Sequence, residues 1–171
     1  MTKTIFKYSV LFSFLLLFQF PAQSQIVCNT DAAQQLDFLI GDWELFSKDG
    51  DLIGENKIKL VFGTCTLEEN FKDTDGLKAH STFSYDEKNK RWLQVWSDDF
   101  GNELNFKGTF KNDKLTLKTS STNANGEKIY HRIIYRKQTN GTVIQVWQKS
   151  SNNKEWKTTY SGTYKRKKAV L

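Results

Sequence analysis

The chain has 171 residues, 25 Lys and Arg against 19 Asp and Glu, two Cys, one Pro and 14% aromatic side chains. That length allows one ordinary domain with a real core. The 38% apolar content excludes a multi-span membrane protein, and the aromatic content argues against disorder. Two Cys cannot hold together a disulfide-scaffold mini-protein.

Met1–Ser24 places Lys3 and Lys7 ahead of an apolar stretch, Val10–Phe20, which Pro21 breaks. Ala22 and Ser24 then put small residues at −3 and −1 of a cut before Gln25. This is the layout of a secretory signal peptide, with an apolar core too short to span a bilayer. The expectation is an exported protein, periplasmic or secreted, whose domain spans residues 25–171 and which makes no stable membrane insertion after cleavage. Without Lys3 and Lys7 the balance is 23 basic to 19 acidic side chains, and four of the bases form the tail run Lys165-Arg166-Lys167-Lys168. The remainder is balanced, so no nucleic-acid partner is expected.

An oxidising compartment makes Cys28 and Cys65 candidates for a disulfide, the alternative being two free thiols. The bridge would enclose 36 residues, stabilising the fold by ~3–4 kcal/mol through loop-closure entropy.

Asp31–Leu39 shows one helical face, with Ala32, Leu36 and Leu39 on it and Thr30 or Asp31 as N-cap. Gly41 stops it. From Trp43 onward the hydrophobic period is two. One parity carries Trp43 and Leu45; Ile58, Leu60 and Phe62; Cys65, Leu67 and Phe71; Leu77, Ala79, Phe83 and Tyr85. It continues through Leu104, Phe106 and Phe110; Leu115 and Leu117; Ile129, Ile133 and Tyr135; and Trp156, Tyr160 and Tyr164. Arg91–Ser97 and Thr142–Lys149 are apolar on both parities, so their facing stays open. Turn signals separate the runs, among them Asp49-Gly50, Asp75-Gly76, Asn112-Asp113, Asn125-Gly126 and Asn140-Gly141. Nine or ten evenly spaced strands with no second helix predict an all-β fold. The expected form is a single antiparallel up-and-down barrel with a short N-terminal helix capping one end. A two-sheet sandwich is the alternative.

The run Leu36-Asp37-Phe38-Leu39-Ile40-Gly41-Asp42-Trp43 resembles the FL-x-G-x-W opening of bacterial lipocalin-like proteins of unknown function. Its Gly-x-Trp core is similar to the first-strand motif of lipocalins and other calycins. Tyr85-Asp86, Trp92, Trp96-Ser97-Asp98 and Gly101 resemble the same family's mid-domain pattern. The resemblance covers about residues 36–166. It implies that Gly41 gives the tight exit from a helix across one barrel mouth and that Trp43 plugs that end. It further implies that Arg166 is the last-strand arginine that packs on this tryptophan.

The chain carries few motifs of known chemistry. There is no phosphate-cradling loop, no nucleophile elbow and no paired metal-ligand spacing, so no metal or cofactor is implied. No catalytic residue is assigned. What remains is polar residues on the inward parity: Glu69 between Leu67 and Phe71, and His131 between Ile129 and Ile133, with Tyr135, Thr158, Tyr160 and Tyr164. A carboxylate inside an apolar barrel is costly unless paired or hydrogen-bonded, and His131 is the obvious partner for Glu69. The leading expectation is a carrier or sensor of one small apolar or amphipathic molecule, held by Glu69, His131, Tyr135 and Tyr160. An interaction module with a filled core is the alternative. A barrel enzyme or haem binder using Glu69 and His131 is the third reading.

The disulfide expectation has a direct check. Exported protein should resist alkylation until reduced and then gain two adducts; two adducts without reductant would contradict the bridge.

Overall fold

The computed structural model describes residues 30–62 and 65–168. The signal-like segment and Cys28 lie outside the described residues, so the proposed bridge is placed at one end only, by half-buried Cys65. Ten strands follow one another: β1 (Gly41–Phe46), β2 (Leu52–Val61), β3 (Thr66–Asp73), β4 (Lys78–Asp86) and β5 (Arg91–Asp98), then β6 (Glu103–Lys111), β7 (Lys114–Thr122), β8 (Lys128–Lys137), β9 (Val143–Ser150) and β10 (Lys157–Arg166). Each pairs antiparallel with its sequence neighbours, and β1 pairs with β10 to close the barrel. The sandwich alternative is thereby excluded.

The turn chemistry is that of tight hairpins. Asn112 and Asp113 both adopt positive φ, 53° and 55°, as a two-residue primed turn requires. The helix expected over Asp31–Leu39 is instead a run of turns ending in a single 3-10 turn, Asp37–Leu39. Its buried residues are Ala33, Leu36 and Leu39 rather than Ala32. A spacing of three matches the 3-10 period, in which side chains at i and i+3 eclipse. Thr30 Oγ1 accepts from the Ala33 N–H at 3.2 Å, as an N-cap would.

This turn closes one end of the barrel. Trp43 donates its indole N–H to the Leu39 carbonyl at 2.8 Å, and the Arg166 guanidinium lies 3.9 Å from the Trp43 ring centre. Arg166 also donates to the Ile40 carbonyl. Gly41 has φ 142°, and a Cβ there would stand 1.8 Å from Arg166 Nη1. Only glycine offers both the conformation and the space. Trp92 extends the seal by donating to Gln35 Oε1 at 3.1 Å.

The two doubly apolar strands resolve cleanly. Trp92, Gln94 and Trp96 of β5 and Val143, Gln145 and Trp147 of β9 share the inward parity with the buried residues of their neighbours. Four inward assignments do not hold. Leu60 and Phe62 are 41% and 89% exposed, because β2 runs past the closed lumen and Phe62 turns away at φ 51°. In β10 a register shift between Thr158 and Tyr160 flips the parity. Thr158 thus pairs with outward Gln148, and Trp156 lies against the Arg132 guanidinium at 4.2 Å.

Trp43→Ala should cost about 3–5 kcal/mol as a core truncation. Gly41→Ala should cost about 1–3 kcal/mol through strain and displacement of Arg166. Urea midpoints measure both, and the Gly41→Ala cost should shrink in an Arg166→Ala background.

Candidate functional site

Glu69 sits at the middle of β3 and is 4% exposed. Its inward direction follows from alternation with Leu67 and Phe71 on a strand whose outward residues include Glu68. Glu69 Oε1 accepts from Asn56 Nδ2 at 2.6 Å, and Oε2 lies 3.5 Å from Gln94 Nε2. Asn56 also donates to the Tyr164 hydroxyl at 3.1 Å, which donates to Gln145 Oε1 at 2.7 Å. Gln145 Nε2 donates to the Tyr135 hydroxyl at 3.1 Å, and Gln94 Nε2 donates to Ser81 Oγ at 3.0 Å. Asn56, Glu69, Ser81, Gln94, Tyr135, Gln145 and Tyr164 thus form a polar belt drawn from seven strands.

Burial dominates the electrostatics of this belt. It pushes the Glu69 carboxyl above its ordinary range, against hydrogen bonds from Asn56, Ser81 and Gln94 that pull it down. Burial, reinforced by the charge of Glu69, raises the hydroxyls of Tyr135 and Tyr164 well above the usual tyrosine range and raises Tyr160 as well. An acid held towards its neutral form can donate as well as accept a hydrogen bond.

Beside the belt lies a cavity of about 190 Å³. Its walls include Phe71, Leu77, Ala79, Trp96 and Trp147, with Glu69, Asp73, Gln145, Tyr160 and Tyr164 as the polar lining. The β3–β4 turn supplies Asp73 and Leu77, so the cavity opens at the end opposite the 3-10 turn. The Tyr160 hydroxyl is buried with no hydrogen-bond partner among the described residues; Asn56 Oδ1 and Gln94 Oε1 share that condition.

The residues singled out in the sequence separate into two places. Glu69 and Tyr160 line the cavity, while Tyr135 stands in the belt beneath it. His131 is buried but does not meet Glu69. Its Nε2 lies 2.8 Å from Ser121 Oγ, and its Nδ1 accepts from the Trp147 indole N–H at 3.3 Å. The indole donor leaves the ring proton on Nε2, so His131 donates to Ser121 and cannot act as its base. An axial metal bond would have to displace one of these two contacts. Burial, then the charge of Lys149, lowers the His131 pKa and keeps the ring neutral. Trp147 stands between the two places, lining the cavity and packing 6.1 Å from His131. The geometry therefore assembles no Glu69–His131 acid–base pair. Among the described residues no group of three or more His, Cys, Asp and Glu could hold a metal ion.

Asn56, Ser81, Gln94 and Gln145 were not anticipated. Each interrupts an inward apolar parity: Asn56 before Ile58, Ser81 between Ala79 and Phe83, Gln94 between Trp92 and Trp96, Gln145 between Val143 and Trp147. That interruption was the available signal.

Glu69 gives a pH prediction. Its folded pKa lies above its unfolded value, so the native state holds the extra proton. Stability is then fully present below the unfolded pKa and falls as pH rises through the folded one. Glu69→Gln should remove up to about 1.4 kcal/mol of this loss per pH unit above the ordinary carboxylate range. Urea unfolding of both proteins from pH 4 to pH 9 measures it.

No curated protein matches the chain. A family model described as "Protein of unknown function (DUF1579)" matches residues 30–166, which include all ten strands and the turn that closes the barrel. The chain belongs to this DUF1579 family of proteins of unknown function.

Proposed function

We propose that this protein is an exported, lipocalin-like barrel that binds one small, mostly apolar molecule in the cavity beside Glu69, as a carrier or sensor. The observation that carries the reading is the cavity itself: about 190 Å³, walled by aromatic side chains, with the unpartnered Tyr160 hydroxyl at its lining. An apolar cavity of about 150 Å³ is enough to hold benzene, so this one suits a compact molecule rather than a lipid chain. The ligand would rest on Trp96, Trp147 and Phe71, and its polar end would meet Tyr160 and Glu69. Export rests on the layout of Met1–Ser24.

Toluene is a suitable probe, because two of the wall residues are tryptophans that report through fluorescence. Wild-type protein should bind it with a Kd on the order of 0.1–1 mM, an efficiency well inside the bound for small ligands. Ala79→Phe should fill the cavity and abolish binding while the urea midpoint shows a folded protein. Absence of binding to the wild type, or equal binding to both, would overturn the reading.

A further inference from the structure

Resting on that reading, we infer that the cavity selects a small organic amine, bound as its ammonium ion. Among the described residues, the lining carries two carboxyl groups, Glu69 deep and Asp73 towards the mouth, and no Lys, Arg or His side chain. The aromatic residues Trp96, Trp147, Phe71 and Tyr160 line much of the remaining wall. Trp96 and Trp147 meet edge to face with ring centres 5.0 Å apart, and Phe71 meets Tyr160 in the same manner at 6.4 Å. An aromatic ring attracts a cation that reaches its electron-rich face, and four such rings line this space.

The three charge classes of ligand fare differently here. An anion would enter a space with two acids and no cationic side chain in its lining, and would be repelled. A neutral molecule gains the apolar contact and a hydrogen bond from Tyr160. An ammonium gains the apolar contact, donates a hydrogen bond to the Tyr160 hydroxyl oxygen, and adds attraction to the rings and to Glu69. Asp73 Oδ1 already accepts from the Leu77 N–H at 2.8 Å, which fixes that carboxylate at the mouth as a steering charge. Glu69 accepts at 2.6 Å from Asn56 and lies 3.5 Å from Gln94, and a carboxylate, with about four lone-pair sites, keeps capacity for a further donor. An ammonium against Glu69 favours the charged form of the acid and so opposes the effect of burial. The volume admits a one-ring or short-chain amine and excludes a long-chain one.

The test uses three probes of nearly one shape: benzylamine, benzyl alcohol and benzoate, titrated at pH 7 by calorimetry into the full mature protein. Benzylamine should bind at least tenfold more tightly than benzyl alcohol, and benzoate should bind most weakly. Glu69→Gln should reduce the preference for benzylamine over benzyl alcohol at least threefold and leave benzyl alcohol unchanged. Should Glu69→Gln not fold, Asp73→Asn should reduce the same preference at least threefold. Equal or tighter binding of benzyl alcohol by the wild type overturns the amine assignment and leaves the cavity reading standing. An amine preference that neither substitution diminishes also overturns the assignment. If none of the three probes binds, the cavity reading and the amine assignment fall together.

Discussion

The sheet closes on itself where Trp43 of β1 pairs with Arg166 of β10, and the interior of the barrel depends on that closure. The guanidinium over the indole joins the first strand to the last, and its contact with the Ile40 carbonyl ties both to the 3-10 turn. Once closed, each strand residue faces either the lumen or the outside, and a slip of one residue would invert a whole strand. Gly41 is the local cost of this arrangement: a positive φ and a missing side chain where the arginine crosses.

Closure also forces the polar belt inward. A barrel interior of aromatic and aliphatic side chains would be stable without Asn56, Glu69, Gln94 and Gln145. Burying them is costly unless their hydrogen bonds are made. Most are made, by a chain of bonds running from Glu69 through Asn56, Tyr164 and Gln145 to Tyr135. The belt separates a densely filled half, containing Trp43, Trp92, Phe83 and Leu117, from the half that contains the cavity. Rigid packing below and open space above suit a preorganised small-molecule site better than a structural core alone.

The barrel was legible because its signals are local. Period-two alternation and Asn-Gly or Asp-Gly turns are written into short stretches, and strand after strand appears where they place it. The buried position of Glu69 was legible for the same reason. Its partners were not, because contact between β3 and β2, β5, β8 or β10 depends on barrel shear and register, which no local pattern encodes. Hence His131 reads as the partner of Glu69 by parity alone, whereas Trp147 stands beside it and Asn56 takes the carboxyl. The register shift in β10 erased parity in the same way, turning Trp156 and Thr158 outward. The 3-10 turn was missed because Ala32 and Ala33 are chemically identical and only the turn period tells them apart.

The central claim is that the space beside Glu69 holds a small molecule, and nuclear Overhauser contacts test it most directly. In protein labelled with ¹³C and saturated with unlabelled toluene, ligand protons should show contacts to the Ala79 methyl, the Leu77 methyls and the rings of Trp96 and Trp147. Contacts confined to the outer face of the sheet, or none at saturating toluene, would contradict it.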